Sequence, residues 1–584
     1  MMSMEELLPE SIEDIQSHFK ISAGPGAGKT TWLVNHINNI LKHPDVLNKM
    51  QKIACITYTR VAADTVERKV NEVTVTNRLD VGTIHSFLYR NVVKPFAYLI
   101  SEDDSGNELF NIKELNGHTE NYPTIDRVSS WARNINKPYL SSSKNIKNTI
   151  EILKSFEWLL NEDGSIGSKV KKRINNFPFP SSKINEFKFA NWRKGIMDHE
   201  DVLYFTYVIF NKNPRVIELL SQKYPFIFID EFQDTTPLQT WIMNKIAKNG
   251  STVGVIGDSA QSIYGFTGAK RSDFIEFSLD GLKCYFKPNN YRSSKSIINF
   301  LNSLRNDLKQ VPSSDAHDGN NVTIIVGNVL EAADFIKKTS NNYVILCRSN
   351  IEVEHIKNGI DTNTNENHLK ELYVNDSAID RVKFINSMLI AYDYLSNSHY
   401  KDAIREIKKH LKGIDSGLTK RLIAIEILEN IESNKNVPIK DIFQELNNIL
   451  KIKYSLKGFT GIKGNKEIHN KKFIDFLPYI SKQFDSPSKV RTIHQAKGDE
   501  FDCVMVCFSE RDNLKLETSL DKYLFRAVEN LHEDNNDGEE ARLRYVAFSR
   551  AKEYLFIHVP RCTEKEIKKF KNMGLEIKYL KTDN

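Results

Sequence analysis

Two short stretches carry residues whose types and spacing could do chemistry. Residues 23–30 read AGPGAGKT and close a short run, FKIS. Small residues at Ala23, Gly24, Pro25, Gly26, Ala27 and Gly28 let backbone N–H groups approach an anion, and the helix-like TTWLVNHINNILK adds its N-terminal partial charge. In this pattern Lys29 reaches the β- and γ-phosphates of a nucleotide and the Thr30 hydroxyl ligates Mg²⁺, with Thr31 beside them at the helix start. Residues 226–235 read FIFIDEFQDT, in which four apolar residues run straight into Asp230 and Glu231. Adjacent acids at the end of a buried segment repel one another unless a cation compensates. Beside a phosphate cradle that cation is Mg²⁺. Asp230 would hold it through water, and Glu231 would orient and deprotonate the water that attacks the γ-phosphate. ATP and Mg²⁺ are therefore the expected ligands.

Positioning these groups requires strands that end in loops and are followed by helices. The runs KIACITYT (52–59), FIFIDE (226–231), VGVIGD (253–258), YVILCR (343–348), FDCVMVCF (501–508) and YLFIHV (554–559) fit that description. Unbroken apolar strands alternating with helices indicate an α/β fold with parallel sheets covered on both faces. The runs fall into two groups, residues 20–90 plus 195–286 and residues 287–350 plus 488–560. Two long polar stretches, about 91–190 and 355–486, are too long for loops and are expected to be mainly helical inserted subdomains.

Composition narrows the class. A chain of 584 residues is too long for one core, and about three or four domains or subdomains are expected. Hydrophobic content of 40% and charged content of 27% describe an ordinary globular protein, and a net charge of +6 permits an anionic partner without demanding one. The start, MMSMEELLPESIEDIQ, lacks an apolar segment, so no secretory leader is expected, and no run approaches bilayer length. Six scattered cysteines show no metal-ligand spacing; they read as reduced core residues, which fits a cytoplasmic location.

A phosphate loop serves many chemistries, so the further motifs decide. ITYTRVAADTVERKV (56–70), GTIHSF (82–87), DHEDVL (198–203), DEFQD (230–234), GDSAQSIYGFTGA (257–269), NYRSS (290–294), TIHQAKGDEFD (492–502) and EEARLRYVAFSRAK (539–552) follow in order. In that order the chain resembles superfamily 1 helicases of the UvrD/Rep/PcrA type. The resemblance implies two RecA-like lobes, 1A (1–90 plus 191–286) and 2A (287–354 plus 487–584), with insertions 1B (91–190) and 2B (355–486). It also implies that ATP lies between the lobes, with Lys29 on one and the γ-phosphate arginines Arg292 and Arg550 on the other. Taken alone, either arginine would be an ordinary surface or ion-pair residue. By the same resemblance Gln261 couples the γ-phosphate to the 257–269 motif, Tyr291 stacks on adenine and Glu500 contacts the ribose.

The resemblance further implies a DNA partner, either a single strand or a tailed duplex, and stepping in the 3′→5′ direction. Single strands are gripped by aromatic faces and polar contacts. Tyr58, Tyr264 and Phe266 stand at the family's base-stacking positions, and Thr59, His85 and His494 at its polar strand contacts. A lone Tyr or His is more often a packed core residue, with Tyr264 evenly balanced between the two. Where the family usually has Trp-Arg this chain has Phe266-Thr267, which implies a weaker grip at that step. Gln16 is a candidate adenine reader, although it lies nearer the loop than the family's Gln. The short 355–486 insertion makes unwinding less secure than translocation. The compact layout, with no recognisable nuclease domain, resembles helicase components of anti-phage systems such as Gabija, in which a separate nuclease is the partner. Two other readings stay open: a nucleotide-gated DNA-binding regulator of a partner nuclease with little unwinding of its own, and an RNA-directed motor.

Overall fold

Strands Ile53–Thr57, Phe226–Ile229 and Thr252–Gly257 are buried along their whole length, as parallel strands covered on both faces must be. A computed structural model of the chain describes residues 5–7, 14–43, 45–74, 76–101, 123–172, 174, 177–360, 378–396, 400–411, 417–456, 459, 462, 467–477, 489–509 and 515–580. Parts of both expected insertions, including 102–122 and 361–377, lie outside the described residues.

The three buried strands belong to a seven-stranded parallel sheet. Its order is Glu5–Glu6, Lys283–Lys287, Phe19–Ala23, Thr252–Gly257, Phe226–Ile229, Ile53–Thr57, Leu79–Thr83. Side chains alternate between two cores. Ile53, Cys55, Phe226 and Phe228 pack with Trp32 and Ile37 on one face, whereas Ala54, Ile56, Ile227 and Ile229 pack with Phe205 and Ile242 on the other. Phe19–Ala23 ends at the phosphate loop, its neighbour Thr252–Gly257 ends at Asp258, and the next strand, Phe226–Ile229, ends at Asp230. Three adjacent carboxyl ends thus deliver the loop, the acid pair and the 257–269 motif to one edge, where open α/β sheets bind ligands.

The chain divides into two compact units: Met1–Asn328, Thr339–Asn342 and Ile493–Asn584 in one, Val329–Lys338 and Tyr343–Thr492 in the other. The first unit contains the seven-stranded sheet and four parallel strands of a second, in the order Phe501–Cys507, Ala551–Val559, Thr323–Val326, Glu576–Tyr579. Parallel sheets in both expected groups give the two RecA-like lobes of an α/β motor. The second unit carries a parallel pair, Tyr343–Cys347 with Val490–Thr492, and a helical body. In that body the helices Ile379–Ser396, Gly417–Asn434 and Ile439–Asn448 share one apolar core around Phe384, Ile427 and Phe443. The described residues of the stretch 91–190 are largely helical as expected, with their own core around Trp131 and Phe187, but they also hold an antiparallel hairpin, Phe156–Leu160 with Ile166–Val170. Among the described residues no helix is long and apolar enough to cross a membrane. Cys55, Cys347, Cys503 and Cys507 are buried, whereas Cys284 and Cys562 are only half-buried and not core residues as expected.

Candidate nucleotide site and strand track

The helix Lys29–Lys42 starts at Gly28, whose left-handed backbone (φ 71°) turns the chain out of the loop; Gly26 shares that conformation. Glycine is required here for a second reason. A Cβ on Gly26 would come within 2.5 Å of Asn290 Oδ1 and 2.7 Å of Arg292 Cβ. The loop is therefore in close contact with the segment that carries Tyr291 and Arg292. Tyr291 N donates to Gly26 O at 2.9 Å, and Gln310 Nε2 donates to Pro25 O at 2.8 Å. The Tyr291 ring is 56% exposed and faces Gly28, a placement open to a base.

Lys29 Nζ donates to Ala23 O at 3.4 Å and lies 3.9 Å from Glu231 Oε1, so loop lysine and acid pair face one space. Asp230 follows its strand directly, its N–H bonded to Ile56 O. Glu231 then takes a left-handed conformation (φ 56°), uncommon for a residue with a Cβ and a kind of strain that collects at functional sites. Gln233 Nε2 donates to Glu231 Oε2 and holds the carboxylate in place. Burial, then the Glu231 charge, push the Asp230 carboxyl up. Burial would also raise Glu231, but Lys29, Lys497, the Gln233 hydrogen bond and Arg550 outweigh it and hold that carboxyl below its ordinary value. The two acids are thus differentiated, one favouring a proton or a metal, the other staying ionised.

Mg²⁺ fits the donor set. Among the described residues no cluster of three or more His, Cys, Asp or Glu could hold a metal. A cation using Thr30, Asp230 and substrate phosphates needs no such cluster.

The arginines converge on the same space. Arg550 Nη2 donates to Gln261 Oε1 at 2.9 Å, and Arg550 Nε to Val546 O at 3.0 Å. Among the described residues no carboxylate lies at ion-pair distance from Arg550; burial, then Arg292, pull its pKa down to about 9. A buried guanidinium held by neutral acceptors is suited to an anion. Arg292 Nη1 donates to Ser549 O at 2.9 Å, and its Nε pairs with Glu500. Glu500 also pairs with Lys552 at 2.8 Å, so the residue expected at the ribose is an ion-pair partner of two cations.

Four of the six expected strand contacts group together. Tyr58 stacks on Tyr264 with centroids 4.6 Å apart, Phe266 lies 5.8 Å from Tyr264, and His494 meets both Tyr264 and Phe266. Phe266 is 58% exposed and Tyr58 39%, which leaves faces for bases. Thr59 adjoins them, but its hydroxyl accepts from Ala62 N and caps the helix Arg60–Val73, which commits one of its two lone pairs. His85 stacks on His199 at 4.8 Å. Gln16 is misplaced for adenine: its carbonyl accepts from Thr252 Oγ1 at the amino end of the sheet, whereas the phosphate loop leaves the carboxyl end.

Sequence reasoning passed over several residues. Lys497 pairs with Asp234, donates to Gln261 O at 2.9 Å and sits 4.8 Å above the Tyr264 ring, so it touches both the acid motif and the aromatic track. It lies inside the quoted TIHQAKGDEFD, where its cation was the available signal. In DHEDVL, Asp198 and Asp201 cap the helix His199–Lys212 and pair with the buried Lys188, which no spacing rule links to them.

Fold and site together define a phosphate-loop motor built on two RecA-like lobes. The UvrD/REP helicase N-terminal domain model matches residues 4–280, and the UvrD-like helicase C-terminal domain model residues 444–561. The chain belongs to this family of ATP-dependent DNA helicases. A probable DNA helicase II homolog of Rickettsia felis is 23% identical over 92% of this chain and 89% of its own. The ATP-dependent DNA helicase PcrA of Staphylococcus epidermidis is 23% identical over 94% of this chain and 82% of its own. The Gabija protein GajB of Bacillus cereus is 24% identical over 71% of this chain and 66% of its own.

Proposed function

We propose that the protein moves 3′→5′ along single-stranded DNA, driven by hydrolysis of Mg-ATP between lobes 1A (1–90 plus 191–286) and 2A (287–354 plus 487–584). The observation that carries this reading is the convergence of Lys29 and Glu231 with Arg550, reached through Gln261. In it Lys29 and the loop N–H groups bind the phosphates, and Glu231 takes the proton of the attacking water. Arg292 and Arg550 stabilise charge as it develops on the γ-phosphoryl. Mg²⁺, held by Thr30 and Asp230, supplies charge neutralisation on the phosphate oxygens. Gln261 and Lys497 carry the state of that site to Tyr264, and Tyr58, Tyr264, Phe266 and His494 grip the strand. Closure around ATP and reopening after hydrolysis then move the grip along the strand.

Similarity to GajB supports a place in anti-phage defence with a partner nuclease; similarity to DNA helicase II supports repair. The test is strand displacement on duplexes with 3′ or 5′ single-stranded tails, alongside ATP turnover. Displacement of the 3′-tailed duplex supports the reading. Preference for the 5′-tailed duplex overturns the direction. DNA-stimulated turnover with no displacement leaves a translocase or a nuclease regulator.

A further inference from the structure

Arg305 lies two residues beyond the helix Lys295–Ser303 and is almost completely buried. We propose that it is a positioning residue for ATP hydrolysis, fixing the side-chain amide of Gln261 so that its oxygen, not its nitrogen, faces Arg550. The inference rests on the ATP-hydrolysis reading above.

Four hydrogen bonds and a further ion-pair contact hold the Arg305 guanidinium. Nε donates to Asp307 Oδ1 at 2.7 Å and Nη2 to Asp307 Oδ2 at 2.9 Å. Nη2 also lies 3.0 Å from Asp258 Oδ1, while Nη1 donates to Asp258 Oδ2 and to the Tyr545 hydroxyl, each at 3.2 Å. The fork thus grips both oxygens of Asp258 and fixes the plane of that carboxylate. Tyr545 belongs to the helix Asn536–Phe548, which runs toward Arg550, so one side chain ties that helix to the strand end at Asp258.

The fixed carboxylate determines the amide. Asp258 Oδ2 accepts from Gln261 Nε2 at 2.8 Å, and a carboxylate can only accept. Gln261 must therefore turn its nitrogen to Asp258 and its oxygen to Arg550 Nη2, 2.9 Å away. Flipped, the amide would present N–H to N–H. Without Arg305, nothing would fix the plane of the Asp258 carboxylate, and the amide would lose its direction. A buried ion pair is weak evidence for stability, since apolar side chains of like volume serve as well. What the fork adds is orientation.

The test compares kcat, the KM for ATP and single-strand affinity in the full chain. Arg305→Lys keeps the cation and removes the fork. It is expected to lower DNA-stimulated kcat about tenfold or more while KM and strand affinity stay within about threefold. In a Gln261→Ala background the same substitution should change kcat by less than about twofold, because the group it directs is gone. Should Arg305→Lys fail to fold, Asp258→Asn, which offers Gln261 an amide in place of the carboxylate, must show the same selective loss of kcat. A folded Arg305→Lys or Asp258→Asn protein with unchanged kcat overturns the proposal, as do losses that multiply in the double variant. Wild-type protein without strand-stimulated turnover overturns the parent reading as well; stimulated turnover indifferent to Arg305 overturns this inference alone.

Discussion

Gln261 Oε1 accepts a 2.9 Å hydrogen bond from Arg550 Nη2, joining buried residues 289 positions apart beside the proposed nucleotide site. The same Gln261 gives its carbonyl to Lys497, which sits over the Tyr264 ring. This places one residue between the groups proposed for hydrolysis and those proposed for the strand track. Gln261→Ala is expected to leave ATP binding and strand binding within about threefold of wild type, and to lower strand-stimulated turnover about tenfold or more. Steady-state kinetics with and without an oligonucleotide checks it; unchanged stimulation contradicts it.

Glu231 is held ionised and in a left-handed backbone by its surroundings, so its removal should be felt in chemistry rather than in binding. Glu231→Gln keeps shape and hydrogen-bonding reach but loses the base. Turnover is expected to fall about 10²–10⁴-fold with nucleotide affinity retained. Equilibrium nucleotide binding beside turnover separates the two; equal loss of both would place Glu231 in binding.

The strand track gives an affinity expectation. Tyr264 meets Tyr58, Phe266 and His494, and Tyr264→Ala removes the ring common to all three. Single-strand affinity should fall by about 1–3 kcal/mol, similarly for different base sequences. Phe266→Trp should tighten binding, since Phe266 is exposed and a larger ring covers more of a base. Fluorescence anisotropy with labelled oligonucleotides reads both changes, and unaltered affinity in Tyr264→Ala would remove the cluster from the track.

Lys188 is buried between Asp198 and Asp201 at 2.7 and 2.9 Å. Burial disfavours its charge, but the two acids outweigh that and raise its pKa. Lys188→Met strands two acids and should cost about 3–5 kcal/mol. Adding Asp201→Asn should restore part of the loss, because the amide needs no cation. Chemical denaturation of the single and double variants is the check; a single variant as stable as wild type contradicts it.

His36 lies among Phe19, Trp32 and Phe228, and burial lowers its pKa from the ordinary 6.5 to about 4. The unfolded chain therefore takes up this proton first as pH falls. The contribution is complete above about pH 6.5 and lost progressively down to about pH 4, roughly 3 kcal/mol in all. His36→Leu should lose less stability than wild type between pH 7 and pH 4. Parallel acid dependence in the two proteins would contradict the assignment.

Much of this architecture was legible because it rests on local pattern. FIFIDE, VGVIGD and KIACITYT form adjacent strands because apolar runs of that length suit a sheet covered on both faces. Gly26 and Gly28 occur where positive φ and close approach exclude other residues. What stayed hidden depends on contacts between distant segments. The Asp258–Arg305 pair, the Lys497–Asp234 pair and the Glu500 pairs with Arg292 and Lys552 follow from how strand ends and helices meet, which no spacing encodes. Gln16 was drawn to adenine by its position ahead of the loop, but a strand separates the two and carries them to opposite ends of the sheet. The hairpin at 156–170 escaped because FEWLL and IGSKV are short and the polar composition around them suggests helix and loop.

The most direct measurement is the rate of ATP hydrolysis by wild type, Lys29→Ala and Arg550→Ala, with and without single-stranded DNA at low salt. The strand is expected to stimulate wild type many-fold, and turnover to fall about 10³-fold or more in both variants, because lysine and arginine act on one phosphate from two sides. Turnover indifferent to DNA, or an Arg550→Ala protein as fast as wild type, would contradict it.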